Sequence, residues 1–172
     1  MNRMQSKAEG RRQKISLAIE ENPGYNYQDL LKDTGFPNGI LSHHLKSLEK
    51  NGLVRVKRKK RMTWFFSPNS NPVEDELRIH LRKETCRKIL IYLLEHKEIT
   101  HKRLIRILEK SPSTVTYTMR NLLESKLIYK TSNFRKSYSL IDPQLTKAIL
   151  EGTETTSVDT LKDRFADSFS YY

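Results

Sequence analysis

Two adjacent histidines and a dense cluster of cations share one stretch of the chain, LSHHLKSLEKNGLVRVKRKKRMTWF at residues 41–65. An imidazole can ligate a metal, settle into a core or meet an anion, and Lys and Arg side chains recognise carboxylates and phosphates. A metal site needs three or four converging ligands. His43 and His44 diverge by roughly 100° around a helix, and Cys86 shows no ligand spacing with His80, His96 or His101 beyond the i, i+6 offset of His80. The expectation is therefore no metal and no cofactor. The residues also do not point to an enzyme: there is no phosphate-binding glycine loop, no His and carboxylate pair at catalytic spacing and no activated nucleophile signal.

The third option, an anionic polymer, fits the charge. Lys and Arg number 32 against 20 Asp and Glu, for a net charge of +12 and a pI near 9.8. From Asp142 onward the chain carries three basic and six acidic residues, so residues 1–141 hold +15. Such a balance favours a polyanionic partner. The longest apolar run, Ile89 to Leu94, falls far short of the roughly 20 residues of a membrane span. Neither a signal-type leader nor a second cysteine for an internal disulfide is present, and the expected setting is the cytoplasm.

The elements that carry these residues occur twice. Shifting the chain by 74 positions sets Arg12 against Cys86 and aligns the apolar pattern without a gap: Ile15 on Ile89, Leu17 on Ile91, Ile19 on Leu93, Leu30 on Leu104, Leu41 on Val115, Leu45 on Met119, Leu48 on Leu122 and Leu53 on Leu127. Arg61 falls on Arg135 and Trp64 on Tyr138. Each copy reads as three helices and a hairpin. In the first, residues 8–21 have helical spacing and stop at Asn22-Pro23-Gly24, a short helix over 26–34 closes at Gly35, and a third runs from Pro37-Asn38 to Lys50 before Asn51-Gly52. Residues 53–56 and 63–66 then read as strands around a charged turn. In the second copy Ser111 and Pro112 open the third helix, with 128–130 and 137–140 as strands.

The predicted fold class is mainly α with small β-hairpins, α+β: a domain over 1–67, a linker over 68–74, a second domain over 75–142 and a helical tail over 143–172. A single long helix is expected over 74–97, with Leu77 and Leu81 positioned to pack between the units. In the tail a short helix over 143–150 precedes a loop over 152–156. Val158, Leu161, Phe165 and Phe169 then recur at three and four positions, a stripe suited to folding back or to pairing two chains as a homodimer.

On the third helix of the first copy, Leu41, Leu45 and Leu48 form a core-facing stripe and His43 lies almost opposite, near Lys46 and Lys50. His44 falls at the border, where a half-buried packing residue with a local partner is expected. In the second copy Ser113, Tyr117 and Arg120 face outward, flanked by Thr116 and Asn121. Tyr117 reads equally as a core-edge aromatic or a backbone contact.

The segment LSHHLKSLEKNGLV resembles the recognition helix of ArsR-type and related archaeal winged-helix transcriptional regulators, and IEENPGYNYQDLLKDTGFP resembles their second helix and turn. The resemblance covers residues 12–66 and extends to 86–141 by repetition. It implies two tandem winged helix-turn-helix domains acting on double-stranded DNA, each placing its third helix in the major groove and its hairpin wing on the backbone. Asn38, Gly39, Ser42, His43, Lys46 and Lys50 would then read the first site, and Ser113, Thr116, Tyr117 and Arg120 the second. Arg55, Lys57, Arg58, Lys59, Lys60 and Arg61 would form one basic wing, and Lys130, Arg135 and Lys136 the other. The first wing departs from the family in having Lys59-Lys60-Arg61 at its turn instead of glycine. Four of its cations on phosphates would contribute about −0.9 × 4 to the slope of log affinity against log salt. A tandem winged-helix scaffold for protein contacts is the alternative reading.

Overall fold

The computed structural model describes residues 3–59, 61–131 and 137–154. Two compact units divide the chain, Met1–Ile79 and His80–Tyr172.

The first unit opens with α1 (Arg3–Glu21), β1 (Tyr25–Asn26), α2 (Tyr27–Thr34) and α3 (Asn38–Lys50). A capping box starts α2: the Asn26 side chain accepts from the N–H groups of Gln28 and Asp29, while the Asp29 carboxylate accepts from the Asn26 N–H at 3.0 Å. Satisfying these end donors is worth about 1 kcal/mol. The hairpin β2 (Arg55–Lys59) and β3 (Met62–Phe66) follows, and β1 joins it to give the sheet order β1-β3-β2. The two-residue strand β1 carried no alternation long enough to show in the sequence.

Strand β3 is buried on both faces, and this decides the unit's architecture. Phe65 points into a cluster with Ile15, Ile19, Leu30, Leu41, Leu45 and Leu48 from the three helices. Trp64 and Phe66 point the other way and pack on Ile79 of α4 (Pro72–Leu81). Glycine suits position 24, since its φ of +85° is left-handed and strained for any residue with a Cβ. The expected linker over 68–74 is thus cut short at Pro72, and the first unit extends through α4 to Ile79.

The expected single helix over 74–97 is two: α4 ends at Leu81, Arg82 and Lys83 break the run, and α5 (Glu84–His96) begins. Lys83 is extended, with φ −94° and ψ 117°. The physical reason lies in the apolar phases. Leu77 and Leu81 define one stripe, and Cys86, Ile89, Leu90 and Leu93 another, rotated by roughly 150° on a continuous helix. Both stripes are buried in the folded chain.

The second unit continues with β4 (Ile99–Thr100), α6 (His101–Leu108), α7 (Pro112–Glu124), β5 (Ile128–Lys130), β6 (Ser137–Leu140) and α8 (Pro143–Glu154). Its sheet order, β4-β6-β5, repeats the first. The ends of α6 and α7 fall 74 residues after those of α2 and α3, and Ile89, Leu93, Leu104, Val115, Met119 and Leu122 are buried like their counterparts. The hairpins differ by one residue: Arg55 pairs with Phe66, but Ile128, not Tyr129, pairs with Leu140. Helix α8 starts where the Asp142 side chain accepts from the Leu145 N–H at 2.8 Å and packs on α5 through a face that buries Ile149 and Leu150. It runs to Glu154, so Gly152 to Glu154 continue a helix where a loop was expected. Val158, Leu161, Phe165 and Phe169 lie outside the described residues.

Candidate nucleic-acid interface

The outward face of α3 follows from which residues its core stripe consumes. With Leu41, Leu45 and Leu48 buried, Asn38, Gly39, His43, Lys46 and Lys50 are exposed and Ser42 is half-buried. Among the described residues no ion pair holds Lys46 or Lys50. The Asn38 side chain and carbonyl are both engaged by the Tyr27 hydroxyl, which ties the start of α3 to α2.

His44 departs from the half-buried residue expected. It is 6% exposed, its ring meets that of His43 edge-on at 5.4 Å, and it has no hydrogen-bond partner among the described residues. Burial, and then the charges of His43, Arg11 and Arg12, push its pKa below the ordinary 6.5. The ring is therefore neutral at physiological pH.

The wing divides by strand alternation. Directly paired residues share a face, and Arg55 and Lys57 lie opposite Phe66 and Trp64, on the side covered by α4. There the Arg55 guanidinium binds the buried Asp75 carboxylate and Ser70, Lys57 pairs with Glu76 at 2.9 Å and Lys59 with the same carboxylate at 3.9 Å. Val56 and Arg58 face the three-helix side. Arg58 forms a two-pronged bond with Glu49 of α3, at 2.7 and 2.8 Å, which lowers the Glu49 pKa and joins the wing to the last turn of α3. Both side chains are solvated, so the pair fixes geometry more than it adds stability. Arg61 is exposed with no ion pair among the described residues, and Lys60 lies outside them. Sequence reasoning grouped six wing cations as one surface. The structure brings Arg58 beside α3 and turns Arg55, Lys57 and Lys59 toward α4.

Two cations were missed. Lys7 and Arg11 of α1 line an open groove with Gly39, Ile40, His43 and His44 at the start of α3. Their helical spacing of four was the available signal, but nothing in the sequence says which face of α1 meets α3.

In the second unit Ser113, Thr116, Tyr117 and Arg120 are exposed on α7. Tyr117, 57% exposed, is not a core residue. The Thr116 hydroxyl is occupied, bonding the Pro112 carbonyl at 2.8 Å and meeting His101 Nε2 at 3.0 Å. Lys130 is exposed on β5, paired with Tyr138, so by pairing it is the counterpart of Lys57. Arg135 and Lys136 lie outside the described residues. Lys102, Arg103 and Arg106 line an open groove on α6, where Arg103 stands over the Tyr92 ring at 5.5 Å.

His80 and Cys86, noted for their spacing, do approach. The Cys86 sulfur lies 3.7 Å from His80 Nδ1, and His80 Nε2 meets Ser125 at 2.9 Å, so both ring nitrogens have protein partners. Burial raises the Cys86 pKa to about 11, which keeps it a thiol. No group of three or more metal-ligating side chains converges among the described residues. Nor is any helix there long and apolar enough to cross a membrane.

A three-helix unit with a β1-β3-β2 sheet and a hairpin beside an exposed third helix defines the winged helix-turn-helix class, and this chain has two. Residues 10–56 match the family model described as bacterial regulatory protein, arsR family, and residues 82–129 the one described as winged helix-turn-helix DNA-binding. The chain folds as a tandem winged helix-turn-helix protein, with its first unit similar to the arsR family and its second to winged helix-turn-helix DNA-binding domains. It is 31% identical over 112 residues to an uncharacterized HTH-type transcriptional regulator of Methanocaldococcus jannaschii, an alignment covering 64% of this chain but only 28% of that relative. A crystal structure of a conserved hypothetical protein from Chlorobium tepidum aligns with 79% of this chain and 93% of its own at 17% identity, with a TM-score of 0.27, too low to bear on this fold.

Proposed function

We propose that the chain is a sequence-specific regulator of transcription that binds double-stranded DNA, with α3 and α7 in major grooves and the wings on flanking phosphates. The observation that carries this reading is the face of α3. His43, Lys46 and Lys50 stand exposed along it, and Arg58 and Glu49 fasten the wing to its end, so base-reaching and phosphate-reaching donors belong to one element. The +15 charge of residues 1–141 supplies the attraction. Unit one contributes affinity, and unit two contributes register and orientation. Selection of bound fragments from random duplexes tests it, with enrichment of a defined site expected.

A protein-interaction scaffold is the second reading, and the second unit favours it. Both units expose large apolar side chains, but among the described residues only the second exposes large aromatics, Tyr117 and Tyr129, a residue type enriched at protein interfaces. Duplex binding that is absent or insensitive to salt would support the scaffold. The proposal also includes pairing of two chains through residues 158–169. Sedimentation of a chain truncated after Glu154 then shows half the mass of the full chain, whereas an unchanged mass rejects that role.

A further inference from the structure

The groove between α1 and the first turn of α3 has a volume of about 500 Å³ and is cationic on one wall. Lys7 and Arg11 supply that wall. On the other stand Gly39 and Ile40, in the first turn of α3, which begins at Pro37 with no side-chain cap and so leaves its N–H groups without a side-chain acceptor. Gly39 sits there although nothing lies within 4 Å of where its Cβ would be, and its φ is not left-handed. The fold therefore does not require glycine, and what glycine provides is close approach to the backbone. His44 closes the floor: it is more than nine-tenths buried, yet its ring borders the groove and finds no hydrogen-bond partner among the described residues.

We infer that this groove is a binding site for a phosphate group, held by Lys7, Arg11, the backbone N–H groups of Gly39 and Ile40, and the His44 ring. Helix N-termini favour anions through these N–H groups and the helix dipole. An anion seated between Arg11 and His44 offsets the cationic neighbours that keep the ring neutral, so His44 gains a proton and a charge-assisted bond on binding. The groove is larger than a phosphate alone, and two sources share this chemistry: a free phosphate ester, or a backbone phosphate of the duplex. Only the second source rests on the DNA-binding reading.

The test titrates the full-length chain with inorganic phosphate at pH 7.0, with potassium chloride holding ionic strength constant, and follows the His44 ring by NMR. A saturable shift toward the protonated ring is expected. Arg11→Gln and Gly39→Ala should each weaken binding at least tenfold, with Gly39→Ala retaining the fold even where Arg11→Gln does not. An equal shift with chloride alone, or wild-type phosphate binding in both variants, overturns the site. Displacement of phosphate by a duplex assigns the backbone as its source, and simultaneous binding of both assigns a free phosphate ester. A chain that binds phosphate but ignores duplexes upholds the site and sinks the DNA-binding reading.

Discussion

The two units differ most where their frames coincide. Helices α2 and α3 and helices α6 and α7 keep the same lengths and the same 74-residue offset, yet the surfaces they present diverge. His43 is replaced by Tyr117 and Lys50 by Glu124, while Lys46 keeps its charge as Arg120. The buried His44 gives way to Thr118, whose hydroxyl bonds the Thr114 carbonyl at 2.8 Å. The uncapped start of α3 becomes a capped one, with Ser111 accepting from the Thr114 N–H. On the hairpin the ion pair of Arg55 and Asp75 has an apolar equivalent in Ile128. Cores of this kind tolerate divergence only within volume and polarity, whereas exposed positions are free to specialise. The first unit has specialised toward charge and the second toward aromatic and hydroxyl groups.

The largest expected effect separates the ion pair from the interface. Asp75 is wholly buried and Arg55 32% exposed. Arg55→Ala should therefore cost about 2–3 kcal/mol of stability, below a wholly buried pair because Arg55 is partly solvated. Ile128→Ala should cost a similar amount through a cavity. Urea unfolding checks both, and an Arg55 variant of unchanged stability would return that residue to the DNA-facing set. Next, Lys46→Ala should lower duplex affinity roughly tenfold and Arg120→Ala clearly less. Fluorescence anisotropy at one salt concentration measures the pair, and equal losses would remove the asymmetry between the units.

Charge competition on the first wing offers a sharper distinction. Glu76→Gln releases Lys57 and Lys59 from α4, so affinity should rise at low salt and the slope against log salt steepen by up to about 1.8, at 0.9 per phosphate contact. A slope unchanged from wild type would mean that these lysines stay away from the duplex whatever α4 carries. Smaller again are the turn positions. Gly35 and Gly52 take left-handed backbone in the first unit, and Glu109 and Lys126 take it at the same offset in the second, with φ of 50° and 53°. Lys126→Gly should stabilise the second unit by about 1 kcal/mol and Gly52→Ala destabilise the first by about as much, read as opposite shifts in denaturation midpoint.

The smallest effect is the pH dependence that His44 gives the first unit. The folded chain holds His44 below its unfolded value of 6.5, so the unfolded state binds the proton more readily. Stability from the neutral ring is full above 6.5 and is lost as pH falls through that value toward the lowered folded one. Thr118, at the equivalent position, has no proton to take up in this range. Urea midpoints between pH 8 and pH 5 should therefore fall less in His44→Thr than in wild type, and parallel curves would show that His44 is not the titrating group.

Residue order alone determined the repeat, the three helices of each unit and the apolar positions on them, because helical periodicity and turn residues act over a few positions at a time. It also placed His43, Lys46 and Lys50 on one exposed flank, since the leucine stripe fixes the rotation of α3. The break between α4 and α5 was equally present in the phase of the leucines, though no proline or glycine marked it. What the tertiary structure decided is which face of each strand meets which neighbour. A strand turns successive residues to opposite sides, so Arg55, Lys57 and Lys59 separate from Arg58 only once Trp64 and Phe66 commit one side of the sheet to α4. The same long-range packing brings Asp75 and Glu76 against Arg55 and Lys57, and sets Lys7 and Arg11 beside the start of α3. Contacts between residues so far apart in sequence leave no local pattern, and only the folded chain brings them together.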